Sequence, residues 1–248
     1  MYDWPELRAA TDQWWQGIAR HLAVDIPLSR LPHAIEAWQR PDLLLAQTCG
    51  YPFTHGLKGR VKLVATPHYD ADGCDGANYR SILFAREARP LREFRDLRAA
   101  VNTPDSMSGM LALKLVFASY ADGGRFFGSV VETGSHLNSL EAVREGRADL
   151  CATDCVCVAL AKRHRPQALD GLVEIARSPA VPGLPLITQA GDVQLLRTAL
   201  QKAFADPDLA RARKDLLLSG YSVLDPSAYD RIIALEAEME KQGGLALL

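Results

Sequence analysis

Short apolar runs of strand length alternate with longer segments of helical period, and two proline-bearing stretches break that alternation. Strand-like runs fall at residues 42–47, 61–66, 79–85, 100–102, 126–132 and 148–153. Leu7, Ala10, Trp14, Trp15, Ile18 and Leu22 keep helical spacing over residues 5–22, and Trp14 and Trp15 read as packing residues. A short helix is expected at 32–38, an apolar helix at 111–120, and further helices after residue 136 and over 155–161. Asn138 and Glu141 have capping-box spacing in the helix after residue 136. The tail reads as helices at 193–204, 207–218 and 226–240, with a turn at 220–223. Strands alternating with helices bury both sheet faces, so the expected class is α/β with largely parallel sheets. The stretches at 85–90 and 176–187 suit crossings between two lobes. The first lobe would be residues 1–85 plus 188–248 and the second 86–187, with a ligand cleft between them that closes on two hinge crossings.

Bulk properties remove several function classes. The 248-residue chain carries a formal charge of −2 and 48% hydrophobic residues, so no net field draws it to nucleic acid or to an anionic membrane. The four tryptophans lie between Trp4 and Trp38 without the interleaved basic residues that base stacking needs. No apolar run approaches the ~20 residues of a membrane span, so membrane insertion is not expected. The first residues lack the pattern of an export leader. The expected location is the cytoplasm if the sequence starts as shown, and the periplasm if a leader was removed.

The chemistry-bearing residues are sparse. Cys151, Cys155 and Cys157 crowd one apolar stretch while Cys49 and Cys74 sit apart, which is not a disulfide framework and suits reduced thiols. No second cysteine pair or histidines at zinc spacing follows, so neither a metal nor another cofactor is expected. Cys49 and His55 lack an orienting third residue, and Asp70, Asp72 and Asp75 lack the spacing and closing glutamate of a calcium loop.

One stretch stands out, residues 104–113, where Asp105, Ser106, Ser108 and Gly109 lead from a strand into an apolar helix. A helix N-terminus holds anions through unpaired backbone N–H groups and its partial positive charge. Ser106 and Ser108 would add hydroxyl donors, and Gly109 would let a ligand approach the backbone. Alternatively, Asp105 or Ser106 simply caps a core helix. His136 stands at a second strand-to-helix turn, as a site residue or an ordinary capping histidine. Asp154 ends another buried strand, as an N-cap for the 155–161 helix, a ligand group, or both.

Taken together, Val101-Asn102 through Ser106-Met107-Ser108-Gly109, then Gly134-Ser135-His136 with residues 139–143, then 146–149 and Asp154, resemble the phosphate/phosphite/phosphonate-binding proteins of ABC transporters. Residues 206–209, Gly220-Tyr221 and Tyr229 are similar to that family's C-terminal part. The resemblance implies a two-lobe type II periplasmic-binding-protein fold. It also implies an oxyanion grip by Ser106, Met107, Ser108 and Gly109, a histidine contact from His136 and first-lobe tyrosines at Tyr51 and Tyr79. Asp154 would meet the ligand's amino or hydroxyl side, and Tyr2 would line the cleft. Met107 stands where a third hydroxyl residue is common, which leaves room for a monoanion.

The expected function is a non-catalytic solute-binding protein for a small phosphonate-, phosphate- or carboxylate-bearing ligand. Its partner would be an ABC transporter permease or a signalling protein. The alternative is a cytoplasmic enzyme of the same fold acting on a small carboxylate, similar to menaquinone-pathway enzymes, with His136 or Asp154 as acid or base.

Overall fold

The computed structural model describes residues 1–31 and 34–247. The first two residues of the helix expected at 32–38 lie outside them, and the described helix there is Ala34–Trp38. In chain order the elements open with α1 (Arg8–Leu22), α2 (Ala34–Trp38), β1 (Ala46–Gln47), α3 (Gly50–Thr54), β2 (Lys62–Tyr69), β3 (Asn78–Tyr79), β4 (Ser81–Ala85) and β5 (Arg98–Val101). They continue with α4 (Ala112–Phe117), β6 (Ser129–Glu132), α5 (His136–Arg144), β7 (Leu150–Asp154), α6 (Cys155–His164), β8 (Val173–Arg177) and β9 (Val181–Pro182). The chain closes with β10 (Leu186–Thr188), α7 (Val193–Ala205), α8 (Ala210–Asp215), β11 (Leu218–Ser222) and α9 (Asp230–Lys241).

Two compact units result. One comprises Met1–Asp70, Asp75–Ala77 and Pro182–Ala228; the other comprises Ala71–Cys74, Asn78–Val181 and Tyr229–Leu248. The chain thus first leaves unit 1 at Asp70, ahead of the crossing expected at 85–90, and α9 belongs with unit 2.

Unit 1 carries a four-stranded sheet in the order β1-β10-β2-β11, in which each pairing is antiparallel. Unit 2 carries a five-stranded sheet, β6-β5-β7-β4-β8. There β5 runs parallel to β6 and β7, while β4 is antiparallel to β7 and β8. The largely parallel sheets expected from the alternation are therefore corrected to an antiparallel sheet in unit 1 and a mixed one in unit 2. β5, β6, β7 and β8 share one direction and follow one another through α4, α5 and α6, whereas β4 alone runs the other way. The 220–223 turn is also corrected, because β11 pairs with β2 through Gly220↔His68 and Tyr221↔Pro67. Gly220 contributes no side chain where the His68 ring lies, a contact that turn propensity alone does not reveal.

The core of unit 1 packs α1 against α7 and β2 through Trp15, Ile18, Val64, Leu196, Leu200 and Leu209. Trp15 Nε1 satisfies its one donor on the Ile26 carbonyl at 2.7 Å. A Cβ on Gly17 would overlap the Leu209 side chain, so this glycine sets how closely α1 approaches the 207–209 turn.

In unit 2 the centre is aromatic. Phe117 is fully buried, with ring centroids 5.0 Å from Phe126, 5.1 Å from Phe127 and 6.3 Å from Phe94. At the edge where β5 begins, Asp149 accepts from the Arg98 backbone N–H at 2.9 Å and from the Arg98 and Arg86 guanidiniums. Those bonds hold its carboxyl down at a pKa of about 2, Arg98 contributing most.

Phe117→Ala should destabilise folding by about 3–5 kcal/mol, since truncation leaves a cavity among three other rings. Chemical denaturation of wild type and variant gives this directly. A loss under about 1 kcal/mol would show that the cluster is not a close-packed core.

Candidate functional site

Three parallel strands, β6-β5-β7, deliver three helix N-termini to one edge of the unit 2 sheet. Each start leaves backbone N–H groups without helical acceptors, and a short polar residue caps each one. Ser106 Oγ accepts from the Gly109 N–H at 3.0 Å, Ser135 Oγ from the Asn138 N–H at 3.2 Å, and Asp154 Oδ1 from Val156 at 2.7 Å and Cys157 at 3.3 Å. Extending the registers Val101↔Glu132 and Ala100↔Cys151 sets Thr103, Gly134 and Asp154 at one level. The capping-box expectation for Asn138 and Glu141 is corrected, because Ser135 is the cap and Asn138 Nδ2 instead donates to the Thr133 carbonyl at 2.8 Å.

The first of these helices is wound wide at its entrance. The Leu111 N–H reaches five residues back to the Ser106 carbonyl at 3.0 Å before regular α-geometry begins at Ala112. Such a turn spreads the N-terminal amides and is common at binding sites. Its side chains are enclosed: Ser106, Met107 and Ser108 are 5%, 1% and 4% exposed. A Cβ on Gly109 would overlap Asn102 Oδ1, so the glycine makes room for the Asn102 side chain.

The serine turn and the histidine turn meet. Ser108 Oγ lies 2.8 Å from His136 Nε2, and Ser106 Oγ lies 3.5 Å from Ser108 Oγ. Burial pushes the His136 pKa down to about 4, opposed by the Ala152 carbonyl, so the ring is neutral at pH 7 and carries one N–H. Its Nδ1 is buried without a partner at hydrogen-bond geometry, as is Asn102 Oδ1. Asn102 follows β5 directly, and sequence reasoning did not select it. A polar residue between a buried strand and a serine-rich turn was the signal.

Other expected residues divide between the units. Tyr79 is buried in β3 of unit 2, and Asp154 is a buried cap whose Oδ1 serves α6. Tyr51, in unit 1, stacks on His55 at 4.0 Å, and His55 Nδ1 lies 2.9 Å from Thr54 Oγ1. Tyr2, also in unit 1, meets Tyr69 edge-on at 5.1 Å and lines an apolar cavity of about 180 Å³ with Trp14, Trp15 and Phe204. Cys151 and Cys157 are core thiols; burial pushes Cys151 up to about 12 and Cys157 well above the usual thiol range, which leaves little thiolate. Among the described residues no group of three His, Cys, Asp or Glu side chains is placed to hold a metal ion, and no helix is long and apolar enough to cross a membrane.

Comparison with known proteins assigns the family. Residues 27–229 match the family described as the periplasmic substrate-binding protein of phosphonate ABC transporters, and the chain belongs to it. No curated protein sequence matches. Among solved structures, the binding-protein component of a Pseudomonas aeruginosa phosphonate ABC transporter is similar at 18% identity, with a TM-score of 0.77, over 94% of this chain and 83% of that one. PhnD1 of Prochlorococcus marinus, solved with methylphosphonate, is similar at 15% identity and a TM-score of 0.76 over 94% of each chain. XAC2383 of Xanthomonas citri, solved with ATP, is similar at 18% identity and a TM-score of 0.69 over 94% of this chain and 92% of that one. The fold is that of the two-lobe type II periplasmic binding proteins.

The neutral His136 ring gives a pH signature. Its folded pKa near 4 lies below the unfolded value of about 6.5, so between these values the unfolded chain binds a proton that the folded chain does not. Its contribution is complete above about pH 6.5 and is lost as pH falls toward 4, a change on the order of 3 kcal/mol. The stability difference between wild type and His136→Gln should follow that window in denaturation series from pH 4 to 7. A pH-independent difference would place the titration elsewhere.

Proposed function

We propose that the chain binds a small phosphonate- or phosphate-like oxyanion at the edge where the Ser106–Ser108 turn and His136 meet, and releases it unchanged. The observation that carries this reading is the 2.8 Å contact between Ser108 Oγ and His136 Nε2, which joins two helix N-termini at one point. The Ser108 hydroxyl and the neutral His136 ring share this hydrogen bond, which fixes the hydroxyl at the helix start without adding a charge. Ser106 combines its capping bond with a hydroxyl proton of its own. The buried Met107 contributes through its main chain rather than its thioether. Gly109, Tyr79 and Asp154 of the same unit complete the proposed set.

Family membership supports this reading, as do similar folds solved with methylphosphonate or described as phosphonate transporter components. The same membership supports a periplasmic location and an ABC permease as partner. The family is one of transport proteins rather than enzymes, and each role proposed here positions a donor without breaking a bond. Hydroxyl and amide donors in an enclosed site replace the ligand's water, and each charge-assisted bond contributes about 1.5–3 kcal/mol.

Calorimetric titration with methylphosphonate, phosphite and phosphate should show binding by at least one of them, and Ser108→Ala should weaken that binding about 10–100-fold. Mass spectrometry should recover the ligand unaltered. No heat with any of the three anions, or an undiminished affinity in Ser108→Ala, would remove the assignment; turnover of the ligand would replace it with an enzymatic one.

A further inference from the structure

The five cysteines divide by their surroundings rather than by their spacing. Cys74 sits on the β2–β3 loop, 81 residues before Cys155, yet their sulfurs lie 3.4 Å apart. The covalent distance is about 2.05 Å, so the sulfurs need to close by about 1.4 Å. Both residues belong to unit 2.

The loop is built for this approach. Gly73 has φ +104°, and a Cβ on it would lie 2.9 Å from Cys155 Cβ and 3.3 Å from Cys155 Sγ, so a residue with a side chain would push the loop off α6. The Cys74 N–H closes a tight turn on the Ala71 carbonyl at 3.0 Å. Asp72 takes both terminal nitrogens of Arg177 at 2.9 and 2.7 Å, fastening the loop to β8. On the other side the Cys155 N–H donates to the Arg80 carbonyl at 3.2 Å. Both partners are thus held in place before any bond forms, which reduces the entropy still to be lost on closure.

We infer that Cys74 and Cys155 are a disulfide-forming pair, which closes in an oxidising compartment and pins the β2–β3 loop to the α6 N-terminus beside Asp154. The two sulfurs have different roles. Cys74 is half-buried and within reach of a small oxidant, whereas Cys155 is buried. The Cys74 thiolate attacks one sulfur of a low-molecular-weight disulfide and expels one thiolate. The Cys155 sulfur then attacks the Cys74 sulfur of the mixed disulfide and expels the second. Two protons and two electrons leave the protein, and the oxidant is reduced to two thiols. Cys155 is the slower partner, because its hydrogen bond with Cys74, burial and the Asp154 carboxylate all disfavour its thiolate. Exchange therefore speeds up as pH rises.

This inference does not depend on which anion the protein binds. The test is to treat the purified chain with oxidised glutathione, map its cysteine peptides by mass spectrometry and compare melting temperatures with and without reductant. The expected result is a Cys74–Cys155 cross-link, loss of two of the five free thiols, and a melting temperature raised by roughly 5–10 °C. Cys74→Ser, at the more exposed position, should fold normally and lose both the cross-link and the rise, while Cys49→Ser should keep both. A cross-link to another cysteine, or no cross-link although Cys74 is alkylated by iodoacetamide in the folded protein, overturns the assignment.

Discussion

Every helix that starts at the edge of the unit 2 sheet brings the same debt of unpaired backbone N–H groups, and the architecture of that edge follows from how the debt is met. Ser106, Ser135 and Asp154 each supply one oxygen to the first turn of a helix that follows β5, β6 or β7. A cap oxygen satisfies one or two donors and leaves the rest available for a ligand or for solvent. Because the three strands are parallel and adjacent, the three starts gather at one level. This is the general reason that ligands of open α/β sheets bind outside the carboxyl ends of the strands.

Local packing refines that edge. The wide first turn after Ser106 spreads the amides, and Gly109 leaves room for the Asn102 side chain. The 2.8 Å contact between Ser108 Oγ and His136 Nε2 ties two helix starts whose residues lie 28 positions apart, and burial keeps the ring neutral at pH 7. A neutral donor set favours an anion whose geometry fits over one that is merely highly charged, since hydroxyls and amides reward direction more than net charge. The aromatic centre around Phe117 and the Arg98–Asp149–Arg86 contacts hold other parts of the same unit.

Much of this was legible in the residue order. Alternating strand and helix periods announced an α/β chain, and the polar residues at 106 and 154 marked helix starts because short side chains with an acceptor oxygen are suited to that position, whereas the cap at Ser135 was read at Asn138 instead. The proline-bearing stretches read as crossings between two lobes, while the units seen in the structure first part at Asp70. Asn102 entered only with the family resemblance and not as a site residue, because its place against Gly109 depends on the path of the chain after β5. The antiparallel strands were missed for a similar reason: strand direction is set by which crossing precedes a strand, and an apolar run carries no direction in its composition.

The sequence by itself determined the class of fold, the helix starts and the serine-rich turn, because these rest on hydrophobic period and on side chains bonding to backbone within a few residues. Tertiary structure decided which starts meet. It set Ser108 against His136 and Cys74 against Cys155, turned residues 218–222 into a strand against β2, and put Tyr79 in the unit that holds the serine turn. Each of those outcomes depends on contacts between residues far apart in the chain, and local propensity does not encode them.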